Sequence, residues 1–130
     1  MLFDTDVLIW VFRGNARAAG LVERTPERLL STVTYIELLQ GARDQREAKC
    51  IRSFLSDFGF RVLPLTENIG HRASIYIEEY GLKAGMRMGD ALVAATAVEN
   101  RVVLCTGNRK HYRPIGELEM KVFRFSPATS

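Results

Sequence analysis

Residues 102–105 read Val-Val-Leu-Cys, four apolar side chains in a row with no polar alternation. A run this short and this uniformly apolar is a strand buried on both faces, the kind found in parallel sheets covered by helices. A second such start, Leu2-Phe3, stops at Asp4. Between these two the chain alternates short β-rich runs with helical spacing. Residues 7–12 predict a helix capped by Thr5 or Asp6, and 15–23 a second one. Leu29-Leu30 predicts a strand within residues 28–32. Residues 35–42 carry helical spacing through Ile36, Leu38 and Leu39, and 45–58 repeat it through Ile51, Phe54, Leu55 and Phe58, with Gly59 as the stop. Residues 60–65 are β-rich, and Pro64 places them at an edge. Thr66 caps a helix with Ile69, Ala73, Tyr76, Ile77 and Tyr80 on its apolar face; Gly81 and Gly85 predict a loop. Residues 88–99 form a helix with Met88, Ala91, Leu92, Ala95 and Val98 toward the core. A last strand is expected over 121–125. The order is β-α-α-β-α-α-β-α-α-β-β with the final link open. It predicts an α/β fold: a three-layer α/β/α sandwich around a mostly parallel sheet.

The 130 residues are expected to form a single domain, 1–130, large enough to need no disulfide or zinc staple. An apolar fraction of 47% beside 25% charged residues excludes disorder, collagen and coiled coil. The longest apolar runs fall far short of the ~18 residues of a membrane span, and Asp4 comes too early for a secretory leader. Cys50 and Cys105 form no CxxC pair and read as reduced core thiols of a cytoplasmic protein. Of the 18 basic residues 14 are Arg, whose planar fork suits phosphate. A pI near 9.1 points the same way, toward an anionic partner, although a GC-rich genome would produce the same excess.

In parallel sheets ligands bind beyond the carboxyl ends of the strands. Asp4 leaves the first strand, Glu37 opens the helix after the second, Asp90 opens the helix before the fourth, and Thr106 and Asn108 follow the fourth. Asp4, Glu37 and Asn108 can therefore converge on one edge, and Asp90 joins them if its helix starts on that same edge, which the short link from Glu99 to Val102 allows. Carboxylates ~5 Å apart repel by about 3 kcal/mol per pair at an effective dielectric of ~20, so a fold that gathers them needs a cation. All-oxygen ligands suit Mg²⁺ or Mn²⁺. Each residue also has a purely structural reading. Asp4, Thr5 and Asp6 could cap the first helix. Thr34-x-x-Glu37 is a capping box. Asp90 could complement a helix dipole, and Thr106 and Asn108 could be turn residues around Gly107. His71 and His111 read as surface or capping residues. HExxH, GxGxxG and GxxxxGK[ST] are all absent.

Four segments, 1–9 (MLFDTDVLI), 34–41 (TYIELLQG), 89–97 (GDALVAATA) and 104–112 (LCTGNRKHY), together resemble the motifs of PIN-domain ribonucleases, and among these the VapC toxins of toxin–antitoxin pairs. The resemblance runs the length of the chain in the right order. It implies that Asp4, Glu37 and Asp90 are acidic metal-binding positions and that Thr106 and Asn108 complete the catalytic set. Asn108 stands where some relatives carry Asp, and His111 where many carry an acid, which implies weaker hold on any second ion. Asp6 stands where Asn is common. The implied chemistry is hydrolysis of a phosphodiester in structured RNA, a tRNA or ribosomal RNA, by water activated on Mg²⁺ or Mn²⁺. Arg87, Arg109, Lys110 and Arg113 would grip the RNA backbone or form a solvated face. The implied partners are a VapB-type antitoxin and a second copy in a homodimer, with no membrane. Apolar helix surfaces around Tyr35, Leu38 and Leu39, and over 51–58, are candidates for those contacts or for the chain's own core.

Two other classes fit less well. Asp4-Thr5-Asp6 also resembles the Asp-x-Asp signature of haloacid-dehalogenase-type phosphatases, but the later acids and a cap domain are missing. A degenerate PIN module that binds RNA or a partner without cleaving is disfavoured by the three retained carboxylates.

Overall fold

The structure, a computed structural model, describes residues 1–124. In chain order it contains β1 (Leu2–Phe3), α1 (Thr5–Phe12), α2 (Ala16–Arg24), β2 (Leu29–Ser31), α3 (Thr32–Gln40), α4 (Gln45–Asp57), β3 (Arg61–Leu63), α5 (Glu67–Ala84), α6 (Met88–Glu99), β4 (Leu104–Thr106), α7 (Arg109–Tyr112) and β5 (Met120–Val122). The strands form one five-stranded sheet in the order β3-β2-β1-β4-β5, and every neighbouring pair is parallel.

Successive strand residues point to opposite faces, and the three central strands bury both. Leu2, Leu29 and Leu104 pack with Ala73, Tyr76 and the small residues of α6 on one side. Phe3, Leu30 and Cys105 pack with Val7, Leu21 and Leu55 on the other. Helices from the first half of the chain thus cover one face, and α5 and α6 the other. Pro64 does follow an edge strand, as expected.

Several expected boundaries move. Asp4, not Thr5 or Asp6, caps α1, its side chain accepting from Thr5 N. Ser31 rather than Thr34 caps α3, so that helix begins three residues early and Glu37 lies in its second turn, outside any capping box. Gly81 sits inside α5; only Gly85, at φ 70°, ends it. The strand expected at 102–105 is displaced to Leu104–Thr106, because Val102 and Val103 are spent on the link from α6. Met88, at the first position of α6, is 72% exposed and does not face the core. Cys50 is exposed on α4; only Cys105 is a core thiol. The open β-β link contains the single turn α7. Phe125, at the end of the last expected strand, lies outside the described residues; within them Met120–Val122 form β5.

Arg28 holds the opposite edge of the sheet together. Its Nε donates to Val22 O at 2.7 Å, Nη2 to Glu23 O at 3.0 Å and Nη1 to Phe58 O at 2.7 Å, with the guanidinium over the Phe58 ring. One fork thereby satisfies open carbonyls at the ends of two helices.

Candidate functional site

The chain leaves β1 for β2 and β3 on one side and returns through β4 and β5 on the other. Strand order therefore reverses between β1 and β4, and a crevice opens at their carboxyl ends. Asp4 stands at that point. Its N–H donates to Cys105 O at 2.9 Å, extending the sheet by one residue, and its side chain is held on three sides. Oδ1 accepts from Thr5 N at 2.8 Å, while Oδ2 accepts from the Thr106 hydroxyl at 2.9 Å and the Tyr112 hydroxyl at 2.8 Å. The residue is 8% exposed. Burial pushes its carboxyl above the ordinary value, and the nearby Asp90 adds to this, against three hydrogen bonds that favour the anion.

A groove of about 240 Å³ opens over this residue, lined by Asp4, Glu37, Asp90, Asn108, His111 and Tyr112 among others. Glu37 is steered by a hydroxyl relay. Thr5 Oγ1 donates to Glu37 Oε1 at 2.9 Å and lies 3.0 Å from Thr34 Oγ1. A carboxylate only accepts, so the Thr5 proton goes to Glu37 and Thr5 accepts from Thr34. Asp90 sits in the first turn of α6, as expected, with Oδ2 reaching back to Arg87 N at 3.4 Å. Its Oδ1 lies 3.5 Å from His111 Nδ1.

Thr106 lies beneath the groove, fully buried, and orients rather than lines it: its hydroxyl donates to Asp4 and accepts from Asn108 N at 3.0 Å. Asp6 ties the two strand exits together, Oδ2 accepting from Gly107 N at 3.0 Å. Its other oxygen, Oδ1, is buried with no hydrogen-bond partner. Burial and the neighbouring Asp4 push the Asp6 carboxyl up to about 6.

Asp4, Glu37, Asp90 and Asn108 thus share one groove, as sequence order suggested, but they do not close into a cage. Among the described residues, no three Asp, Glu, His or Cys side chains gather as a ready metal cluster. The donor chemistry nevertheless fits a hard divalent cation: carboxylates and an amide, with like charges close enough to perturb one another. Arg87, Arg109, Lys110 and Arg113 are all exposed and none lines the groove. His111, expected to be a surface or capping residue, lies in it. Sequence gives Tyr112 no role and Thr5 only that of a helix cap. Tyr112 could have been found from its position on the turn after β4, where a large residue must fold under the strand exit; Thr5 carried no distinguishing signal.

The PIN domain family model matches residues 1–116. A comparison with curated protein sequences finds no match. Among solved structures, a toxin–antitoxin complex from Klebsiella pneumoniae is 30% identical, with a TM-score of 0.76 over 90% of this chain and 93% of that one. VapBC-1 from nontypeable Haemophilus influenzae shares 22% identity and a TM-score of 0.76, covering 93% and 96%. The DNA-bound VapBC from Salmonella typhimurium shares 19% identity and the fold, with a TM-score of 0.81 over 93% and 96%. With the family model spanning nearly the whole chain and a 30% identical relative beside it, the chain belongs to the PIN domain family.

Proposed function

We propose that this protein is a divalent-metal-dependent endoribonuclease and the toxin of a toxin–antitoxin pair, working in the cytoplasm as a single domain. The observation that carries the reading is the meeting of Asp4, Glu37, Asp90 and Asn108 in one groove at the reversal of strand order. Asp4 and Asp90 would hold Mg²⁺ or Mn²⁺, with Glu37 in support. Bound there, such an ion supplies Lewis acidity and neutralises charge on a phosphodiester.

The protein's own part is orientation. Tyr112, Thr106 and Thr5 N fix the Asp4 carboxylate in one rotamer, so little freedom is lost when it engages a ligand. Thr5 does the same for Glu37. Asn108 offers an amide to a phosphoryl oxygen, and His111 offers a donor at the groove wall. Arg87, Arg109, Lys110 and Arg113 stand outside the groove, where they can meet flanking phosphates.

Its toxin–antitoxin relatives support an antitoxin partner and assembly of more than one copy. No helix among the described residues is long and apolar enough to cross a membrane. The test is cleavage of a structured RNA, a tRNA transcript, with Mg²⁺ or Mn²⁺ and with chelator. Cleavage that requires the ion and is lost in Asp90→Asn supports the reading. Cleavage undiminished in Asp90→Asn overturns it.

A further inference from the structure

Four acids, Asp4, Asp6, Glu37 and Asp90, line the groove just described, and no Lys or Arg does. Such a site repels the polyanion it is meant to take, so grip on the strand must come from outside it. On the far side of the β4 exit lies a second groove of about 510 Å³, between α2 and β5. Its charged lining is entirely basic: Arg17, Arg24, Lys121 and Arg124, with no acid among the described residues that form it. Leu21 and Phe123 make its floor, and Phe123 is anchored in the core.

The two grooves are neighbours. Phe123 N donates to Thr106 O at 2.7 Å, so the chain carrying Arg124 leaves the sheet directly beside the strand exit that positions Asp4. Gly107, the next residue, is bonded to Asp6 on the other side. The β4 exit thus lies between Asp6 and the backbone that carries Arg124.

We propose that the α2–β5 groove is a nucleic-acid backbone site, which holds the single strand on one side of the scissile phosphate by its phosphates. The proposal rests on the nuclease reading above and extends it with a surface that the motif residues do not include. Arg24, Lys121 and Arg124 bind phosphates without reading bases. Lys121 and Val122 of the edge strand β5 are both exposed.

The probe is a 5′-fluorescein-labelled 20-nucleotide polyuridylate, bound in chelator so that no cleavage occurs, over a range of salt concentrations. The triple variant Arg24→Gln, Lys121→Gln, Arg124→Gln is compared with Arg46→Gln, Lys49→Gln, Arg52→Gln, which removes the same charge from the exposed side of α4. Thermal melts establish that both fold. Each phosphate contact contributes ~0.7 to the log–log salt slope for a single strand, so the groove variant should lose about 2 from the slope and at least ~10-fold in affinity at about 50 mM salt. The α4 variant should keep the parent's slope. Equal losses in both variants would mean bulk charge and overturn the proposal, as would an unchanged slope in the groove variant or no binding by the parent. Cleavage of a tRNA transcript by the parent is followed in parallel. If the parent cleaves and the groove variant binds normally, the groove proposal alone fails. If the parent binds through the groove and never cleaves, the nuclease reading fails.

Discussion

Tyr112 donates to Asp4 across 108 residues of sequence, at 2.8 Å, from a side chain that is itself 1% exposed. The last helix of the described chain thereby holds the first carboxylate. Burial first, and then the neighbouring Asp4 carboxylate, push the Tyr112 phenol up and keep it protonated, since its ionisation would place two buried anions side by side.

Tyr112→Phe removes that donor and leaves the ring in place. A hydrogen bond to a charged group contributes ~1.5–3 kcal/mol, so urea denaturation should show a loss of about 2 kcal/mol with an unchanged m-value. RNA cleavage should fall as well, because Asp4 keeps only Thr106 and Thr5 N to set its rotamer.

Asp6→Asn separates a positioning role from a metal-binding one. Asn retains an oxygen to accept from Gly107 N, and its NH₂ replaces an oxygen that has no partner. Cleavage should stay within about tenfold of the parent, under ~1.4 kcal/mol in the barrier, whereas Asp90→Asn should nearly abolish it. Equal inactivity of the two variants would place Asp6 among the metal-binding residues.

Stability should fall as pH rises from about 4 to about 6 in the presence of chelator. The Asp6 carboxyl goes from an ordinary value of 3.8 when unfolded to about 6 when folded, so between these values the folded state binds more protons than the unfolded one. Asp4 is shifted in the same direction. Melts across this window should show the decline, and Asp6→Asn should make it shallower.

Mn²⁺ or Mg²⁺ should stabilise the fold, since an ion that binds only the folded state at 100 times its dissociation constant adds ~2.7 kcal/mol. Calorimetry with added Mn²⁺ should raise Tm, chelator should reverse the rise, and Asp90→Asn should remove most of it. A Tm indifferent to millimolar Mn²⁺ would count against these carboxylates as ligands.

Arg28→Ala should destabilise by about 2–4 kcal/mol, because three carbonyls lose their donor and the Phe58 ring its cation. Arg28→Lys should recover little, since an ammonium cannot reproduce the planar fork. Chemical denaturation of both variants measures the difference.

Apolar runs such as Leu2-Phe3 and 102–105 announced the parallel sheet, because burial on both faces leaves no polar alternation. Asp4 and Glu37 were legible together because strand exits in a parallel sheet share an edge, and Asp90 because the short link from its helix to β4 lets that helix start on the same edge. The boundaries were not. Ser31 took the cap of α3 from Thr34 because β2 ends one residue before the helix begins, and a cap is decided by where the strand lets go. Gly81 stayed helical because the preceding turn, Ile77 and Tyr80, packs against the core and carries the helix past a residue that costs it ~1 kcal/mol. His111 and Tyr112 gained their neighbours through α7, a single turn too short to show periodicity.

The strand order has a temporal consequence. β1 is made first, yet it occupies the centre of the sheet and needs β4 on one flank, with Thr106 and Tyr112 to hold Asp4. A nascent chain on the ribosome carries Asp4 from the start but cannot complete its surroundings until residue 112 has emerged. As the proposed nuclease, the chain is inert toward RNA until then, including the message and ribosome that are producing it.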